Sequence, residues 1–262
     1  MKNILVPTDF SSNARSALTY AFQLGSLSGA RLVVCHIYVS SLSSEKQEEL
    51  DEYIQNFCSE VSIDGVEYET MVIEGESITA LAQSDECVKS DLIVMGTRGA
   101  SNRGADLVGT NTVNLIAKTN KPLLVIPHEA EFRMARNIMF CSDYDNLELD
   151  YTLPILKEFV MLMKAKLRIV HVKNNDKEPN PRHVEESRRE GKFFEPEVEP
   201  QYKLVHAANV FSGINYYTEL KGDNDVLAMV NRHHGFFNRL FRTNNTQKMA
   251  YHTDIPLLVL PE

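Results

Sequence analysis

Cysteine is scarce in this chain: four in 262 residues, at Cys35, Cys58, Cys87 and Cys141. None forms a C-x-x-C pair, and the spacing is too sparse for a disulfide scaffold, so they read as reduced thiols in a cytoplasmic protein. No apolar run approaches the roughly 20 residues that span a bilayer. The first residues pass from Met1-Lys2-Asn3 straight into Ile4-Leu5-Val6 without the pattern of a secretory leader, so no membrane association is expected. Basic charge is short as well, 27 Lys and Arg against 36 Asp and Glu for a net charge of −9. Coating a nucleic-acid backbone needs a concentrated basic face, so nucleic acid is not an expected partner. The deficit is uneven: residues 1–130 carry 9 basic and 17 acidic side chains, residues 131–262 carry 18 and 19.

What is present is a repeat. Residues 4–10, ILVPTDF, return as IMFCSDY at 138–144, which sets Asp9 on Asp143 at an offset of 134. KPLLVIP at 121–127 returns as IPLLVLP at 255–261 with the same offset, and ARLVVCHIY at 30–38 returns as AKLRIVHVK at 165–173, one residue further on. Three matched segments in order point to two copies of one domain, 1–130 and 134–262.

Within the first copy Ile4–Pro7, Leu32–Ile37, Val66–Ile73, Leu92–Met95 and Leu123–Ile126 read as strands. Asp9, Ser11 and Ser12 offer N-cap oxygens to a helix carrying Ala14, Leu18, Ala21, Phe22 and Gly25 on one stripe and ending near Gly29. Glu45–Val61 is amphipathic, with Leu50, Ile54, Phe57 and Val61 at helical spacing. Ser77 is expected to cap a helix bearing Ile78, Leu81, Ala82 and Val88, and Thr110–Lys118 reads as the last helix. Strands alternating with helices imply a parallel sheet with right-handed crossovers, and the uniformly apolar strands suit a sheet covered on both faces. The expected fold class is therefore α/β, two tandem five-stranded parallel-sheet domains of Rossmann-like type. In the second copy Asn174–Pro200 carries Pro179, Pro181, Pro196 and Pro200 among many charges and is expected to be irregular, with one helix near Val184–Glu190.

The segment MGTRGASNRGADLVGT, 95–110, follows a strand and precedes a helix. Ligands of open α/β sheets lie beyond the carboxyl ends of strands, and a helix N-terminus there offers free N–H groups to an anion. Gly109-Thr110 is thus a candidate phosphate clamp, with Gly96 and Gly99 turning the chain out of the strand and Arg98 adding charge. The alternative is that these glycines only make turns. Gly104–Thr110 has the spacing of a P-loop but lacks its lysine, and no G-x-G-x-x-G follows the first strand, which excludes a P-loop and argues against a dinucleotide site.

The spacing G-2x-G-9x-G-[S/T], carried by Gly96, Gly99, Gly109 and Thr110, resembles the nucleotide signature of the universal stress protein family. ILVPTDFS, LVVCHIY, LIVMGTRG and KPLLVIP are similar to that family in the same order across residues 1–128, and the second copy resembles the same domain (a fold also described as adenine nucleotide alpha hydrolase-like). The resemblance implies an adenine nucleotide, ATP or its relatives ADP and AMP, with or without Mg. Pro7, Thr8 and Asp9 would line the adenosine end, the Ile37 backbone would bond adenine, and Met95 would pack near the base. Gly96, Arg98 and Gly99 would approach ribose and phosphates, and Gly109, Thr110 and the Asn111 amide would hold the phosphate tail. Asp9 can serve instead as a helix N-cap, a role compatible with the first.

The second copy departs at the signature. Aligned without gaps, Gly96 becomes Val230, Gly99 becomes His233, Gly109 becomes Thr243 and Thr110 becomes Asn244. Side chains fill the volume phosphates need, so this copy is not expected to bind ATP in the family manner, although Asp143 and Arg232 remain. The basic and aromatic run Arg232–Arg242 reads as a packed loop in preference to an anion site. His233, His234 and His252 lack the spacing of a metal site. No G-x-S-x-G, H-E-x-x-H or Cys–His pairing is visible, so catalysis would be at most a slow ATPase. His36 and His171, at equivalent places in the second strands, read as structural. The near-identical closing strands Leu123–Ile126 and Leu257–Leu260 suggest an intrachain pseudo-dimer or a homodimer. The function implied is a stress-response protein that signals or binds an unknown protein partner according to its nucleotide; the rivals are a nucleotide-independent scaffold and the slow ATPase.

Overall fold

The structure, a computed structural model, describes residues 1–38, 43–75, 78–97, 109–128, 130–142, 151–173, 181–231 and 255–262. The chain divides into two compact units, Met1–Phe132 and Arg133–Glu262.

In the first unit β1 (Asn3–Pro7), α1 (Ser12–Ser28), β2 (Arg31–Tyr38), α2 (Ser44–Ser59), β3 (Tyr68–Glu74), α3 (Ile78–Ala82), α4 (Asp85–Lys89), β4 (Leu92–Gly96), α5 (Thr110–Lys118) and β5 (Leu123–Ile126) follow one another. The strands run parallel in the order β3-β2-β1-β4-β5. Ile4, Leu5, Val6, Leu32, Val34 and Leu92–Val94 are buried, as a sheet covered on both faces requires. α1 packs on β1, β2, β4 and β5, and α2 on β2 and β3, whereas α3 packs on α5, β2 and β3, and α4 on β1. With right-handed crossovers this places α1 and α2 on one face and α3–α5 on the other.

α1 starts where Ser11 Oγ accepts the Ala14 N–H at 3.1 Å, and it stops at Gly29, whose φ of +70° is the left-handed cap that glycine adopts without a Cβ clash. Its inner stripe buries Leu18, Phe22 and Leu24 completely, each contributing about 1.5–3 kcal/mol of burial. Gly25 lies on that stripe because a Cβ there would come within 2.7 Å of Leu32 and 2.9 Å of Val66.

Two local expectations change. The single helix expected over 78–88 is two, α3 and α4, because Ser84 Oγ accepts the Cys87 N–H at 3.2 Å and starts a new helix. That restart turns Cys87 inward and leaves Val88 exposed. Ser77, the expected cap, lies outside the described residues.

The second unit holds β6 (Asn137–Cys141), α6 (Thr152–Met163), β7 (Lys166–Lys173), α7 (Pro181–Phe194), β8 (Gln201–His206), α8 (Val210–Lys221), β9 (Val226–Asn231) and β10 (Leu257–Pro261). Its parallel order β10-β9-β6-β7-β8 is that of the first unit, strand for strand. The excursion expected to be irregular contains the 14-residue helix α7, longer than the 184–190 segment read from sequence. Its prolines explain the difference: Pro181 opens the helix, where its missing N–H costs nothing, and Pro196 and Pro200 follow the end.

The repeat extends to individual hydrogen bonds. Asp91 Oδ2 accepts the backbone N–H groups of Lys2 and Asn3 at 2.6 and 3.0 Å, and Asp225 Oδ2 accepts those of Arg136 and Asn137 at 2.8 and 2.9 Å. Asn3 Nδ2 donates to the Lys89 carbonyl and Asn137 Nδ2 to the Asp223 carbonyl. Every pair is related by the 134-residue offset of the sequence repeat.

Candidate functional site

The strand order reverses between β1 and β4, since β1 leads leftward to β2 and β3 while β4 and β5 lie on its other side. The crevice beyond the carboxyl ends of β1 and β4 is where an open α/β sheet takes a ligand. Pro7, Thr8, Asp9, Ile37, Met95, Gly96, Gly109, Thr110 and Asn111 all belong to the strand ends or helix starts that border it. Arg98 and Gly99 lie outside the described residues.

On the β1 side, Thr8 is buried and its N–H continues the ladder to the Cys35 carbonyl at 2.8 Å. Its Oγ1 accepts the Phe10 N–H at 3.0 Å, and its carbonyl accepts a bond from His36 Nδ1 at 2.8 Å, so His36 carries its proton on Nδ1. Phe10 adopts φ +62°, an uncommon conformation for a bulky residue. Its ring stacks on His36 at 4.6 Å and meets Tyr53 and Phe57 edge-on, and these contacts hold the turn. Half-buried Asp9 takes the Ser11 N–H at 3.1 Å and the Ser11 hydroxyl at 2.6 Å on Oδ1. The helix cap of α1 is therefore Ser11, and Asp9 braces that cap.

β2 outruns β1. Their pairing ends at Pro7↔Cys35, while β2 and β3 remain paired to Tyr38↔Glu74. Cys35 turns its carbonyl to the β1 side, and by the two-residue alternation so does Ile37. The Ile37 backbone therefore projects over the end of β1, the geometry needed for a flat heterocycle edge. The Cys35 thiol behind it is pushed well above its ordinary range, first by burial and further by Glu86 and Cys87, and stays neutral.

On the β4 side Met95 is buried, and Gly96 is the last strand residue. Gly96 does not take a positive φ; a Cβ there would lie 2.9 Å from Asn13 Cγ and 3.0 Å from the Asn13 carbonyl. Its lack of a side chain serves the close approach of α1, and the turn expected at Gly96 begins after it. Thr97 follows, donating its N–H to Ile126 and taking the Gly109 N–H on its carbonyl. Gly109 caps α5 with φ −65° and no side-chain cap bond. Gly109 has no special torsion and is buried, and Thr110 and Asn111 after it are both exposed. A helix start in this state directs N–H groups and the positive dipole end outward.

Sequence reading missed Asn13 and Thr97, joined by a bond from Asn13 Nδ2 to Thr97 Oγ1 at 3.2 Å, and Thr112, whose buried hydroxyl donates to the Gly96 carbonyl at 3.0 Å. Polar residues buried at helix starts beside the glycine signature were the available signal. In the second unit the equivalent strand end repeats the histidine bond, from His171 Nδ1 to the Ser142 carbonyl at 2.9 Å, and both histidines brace a strand end. There the buried Glu190 of α7 receives the Ser142 hydroxyl at 3.1 Å. Asp143, Arg232–Arg242, Thr243, Asn244 and His252 lie outside the described residues. No group of metal-binding side chains occurs among the described residues, and no helix among them is long and apolar enough to cross a membrane.

Comparison with known proteins agrees with this architecture. The universal stress protein family model matches residues 1–127. A universal stress protein of Methanocaldococcus jannaschii is 28% identical over 155 residues, covering 48% of this chain and 94% of the relative. One of Thermus aquaticus is 30% identical over 134 residues, covering 48% of this chain and 98% of the relative. The crystal structure of a universal stress protein from Archaeoglobus fulgidus matches 99% of this chain and 98% of its own with a TM-score of 0.72 at 18% identity, a likeness of fold. The chain belongs to the universal stress protein family.

Proposed function

We propose that the first unit binds an adenine mononucleotide, ATP or its relatives ADP and AMP, and that occupancy of this site is the signal by which the protein acts in the stress response on a protein partner in the cytoplasm. The observation that carries the reading is the N-terminus of α5: a glycine cap without a side-chain bond, followed by exposed Thr110 and Asn111, at the carboxyl end of β4 where the strand order reverses. The residues present fit such a ligand. The projecting Ile37 backbone suits an adenine edge, and Asp9 stands at the end of β1, placed to accept a ribose hydroxyl. The α5 amides and the Thr110 hydroxyl suit phosphate oxygens, whose charge a Mg ion would share. Arg98 and Gly99 are assigned to the phosphate side on the family resemblance.

The second unit, in this reading, is a universal stress protein domain that has lost the site. Val230 occupies the position of Gly96 on β9, and Thr243 and Asn244 replace the glycine cap and its hydroxyl residue.

The test is direct. Purified protein, denatured and its supernatant resolved by anion-exchange chromatography, is expected to release an adenine nucleotide at up to one per chain, and Gly109→Val protein to release none. If the variant folds, retains the nucleotide and matches wild type, the site is elsewhere. If both are empty and neither takes up added ATP, the scaffold reading replaces this one.

A further inference from the structure

We propose that Asn13 and Thr97 form a latch that fixes the start of α5, making them positioning residues for the phosphate tail; the role in binding rests on the nucleotide reading of this site, while the latch itself does not. Thr97, the first residue beyond β4, joins three elements. Its N–H donates to Ile126 of β5 at 2.9 Å, its carbonyl accepts the Gly109 N–H at the cap of α5, and its Oγ1 accepts Asn13 Nδ2 from the first turn of α1 at 3.2 Å. The preceding carbonyl, of Gly96, takes the Thr112 hydroxyl at 3.0 Å. Two consecutive residues thus tie the starts of both helices bordering the crevice to the ends of two strands.

Asn13 is 3% exposed, so water competes little for this bond. Asn13 sits there because residue 96 has no Cβ: its Cγ and carbonyl oxygen would lie 2.9 and 3.0 Å from one. Gly96 and Asn13 therefore specify each other. In the second copy Val230, Asn231 and Thr243 stand at the places of Gly96, Thr97 and Gly109. A bulkier residue at the place of Gly96 goes with the loss of the glycine cap. Because the latch acts on the α5 start and not on the Thr8–Asp9 turn, it discriminates the phosphate tail from the nucleoside.

Thr97→Val, Thr97→Ser and Asn13→Leu proteins, checked for folding by circular dichroism, are titrated calorimetrically with ATP and with adenosine. Thr97→Val and Asn13→Leu are expected to weaken ATP about five- to tenfold, the effect of one hydrogen bond, and adenosine less than about twofold. Thr97→Ser keeps the hydroxyl and is expected to stay within about twofold of wild type for both. Amide hydrogen exchange in the ligand-free protein gives a second measure: exchange at Gly109 and Val113 accelerates in Thr97→Val and not in Thr97→Ser. A folded Thr97→Val protein with wild-type ATP affinity and wild-type exchange overturns the latch, and equal loss for adenosine and ATP overturns its selectivity for the tail. If wild-type protein binds neither ligand, the nucleotide reading falls and exchange decides the latch on its own.

Discussion

Gly96 and Phe10 border the same crevice and are constrained in opposite ways. Gly96 has an ordinary backbone and is glycine because Asn13 leaves no room for a Cβ. Phe10 has the torsion that favours glycine, φ +62°, and keeps its ring because His36, Tyr53 and Phe57 surround it. A motif reading that assigns every signature glycine to a turn therefore misplaces the cause at Gly96, and nothing in the letters ILVPTDFS reveals the turn at Phe10. The cysteines carry a testable consequence of burial. Burial holds the Cys58 thiol at about 12 and pushes those of Cys35 and Cys141 higher, against 9.0 for a free thiol. A group whose pKa is raised on folding contributes its full stabilisation below the unfolded value and loses it as pH rises toward the folded one. The urea midpoint is therefore expected to fall between about pH 9 and 12 and to be insensitive to these thiols near neutrality. An unchanged midpoint at pH 10.5 would contradict their burial as neutral thiols.

Among the elements, the paired aspartates that receive the backbone before β1 and β6 are matched devices. Asp91 and Asp225 each accept two consecutive N–H groups on one carboxylate oxygen, joining the start of a central strand to the start of its neighbour. Asp91→Ala and Asp225→Ala are each expected to lose about 1–2 kcal/mol, since the stranded N–H groups are near water and regain part of their bonding there. Chemical denaturation of the two single variants checks this; a loss for one and none for the other would show that the units do not use the device alike. The strand and helix pattern was legible wherever apolar periodicity was uninterrupted, as in α1 with its stripe and its Gly29 stop, or in α5. It failed where one polar residue outweighed the stripe. Ser84 restarts the chain as α4, and the Cys87–Val88 pair is turned by one position relative to a continuous helix. At α7 the helix read near 184–190 is present but longer, with Pro181 at its first position and Pro196 and Pro200 beyond its end. At the crevice, glycine spacing named Gly96, Gly109 and Thr110 in advance but not Asn13, Thr97 and Thr112, because their roles come from contacts between positions 16 and 84 apart.

For the whole molecule, the repeated architecture and the glycine signature separate. Both units keep the strand order, the strand-end histidine bond and the aspartate device. The signature glycines occur only in the first. On the proposed nucleotide reading, the second unit is not a second equal site. Its buried Glu190 receives the Ser142 hydroxyl at the strand end equivalent to Thr8, a side chain the first unit does not place there among the described residues. The most direct measurement is the stoichiometry of ATP binding by isothermal titration calorimetry, on wild-type protein and on Gly109→Val. One ATP per chain in wild type, and none in the variant, is the predicted result. Two equivalent ATP per chain, or one that persists at full affinity in folded Gly109→Val protein, would contradict the account.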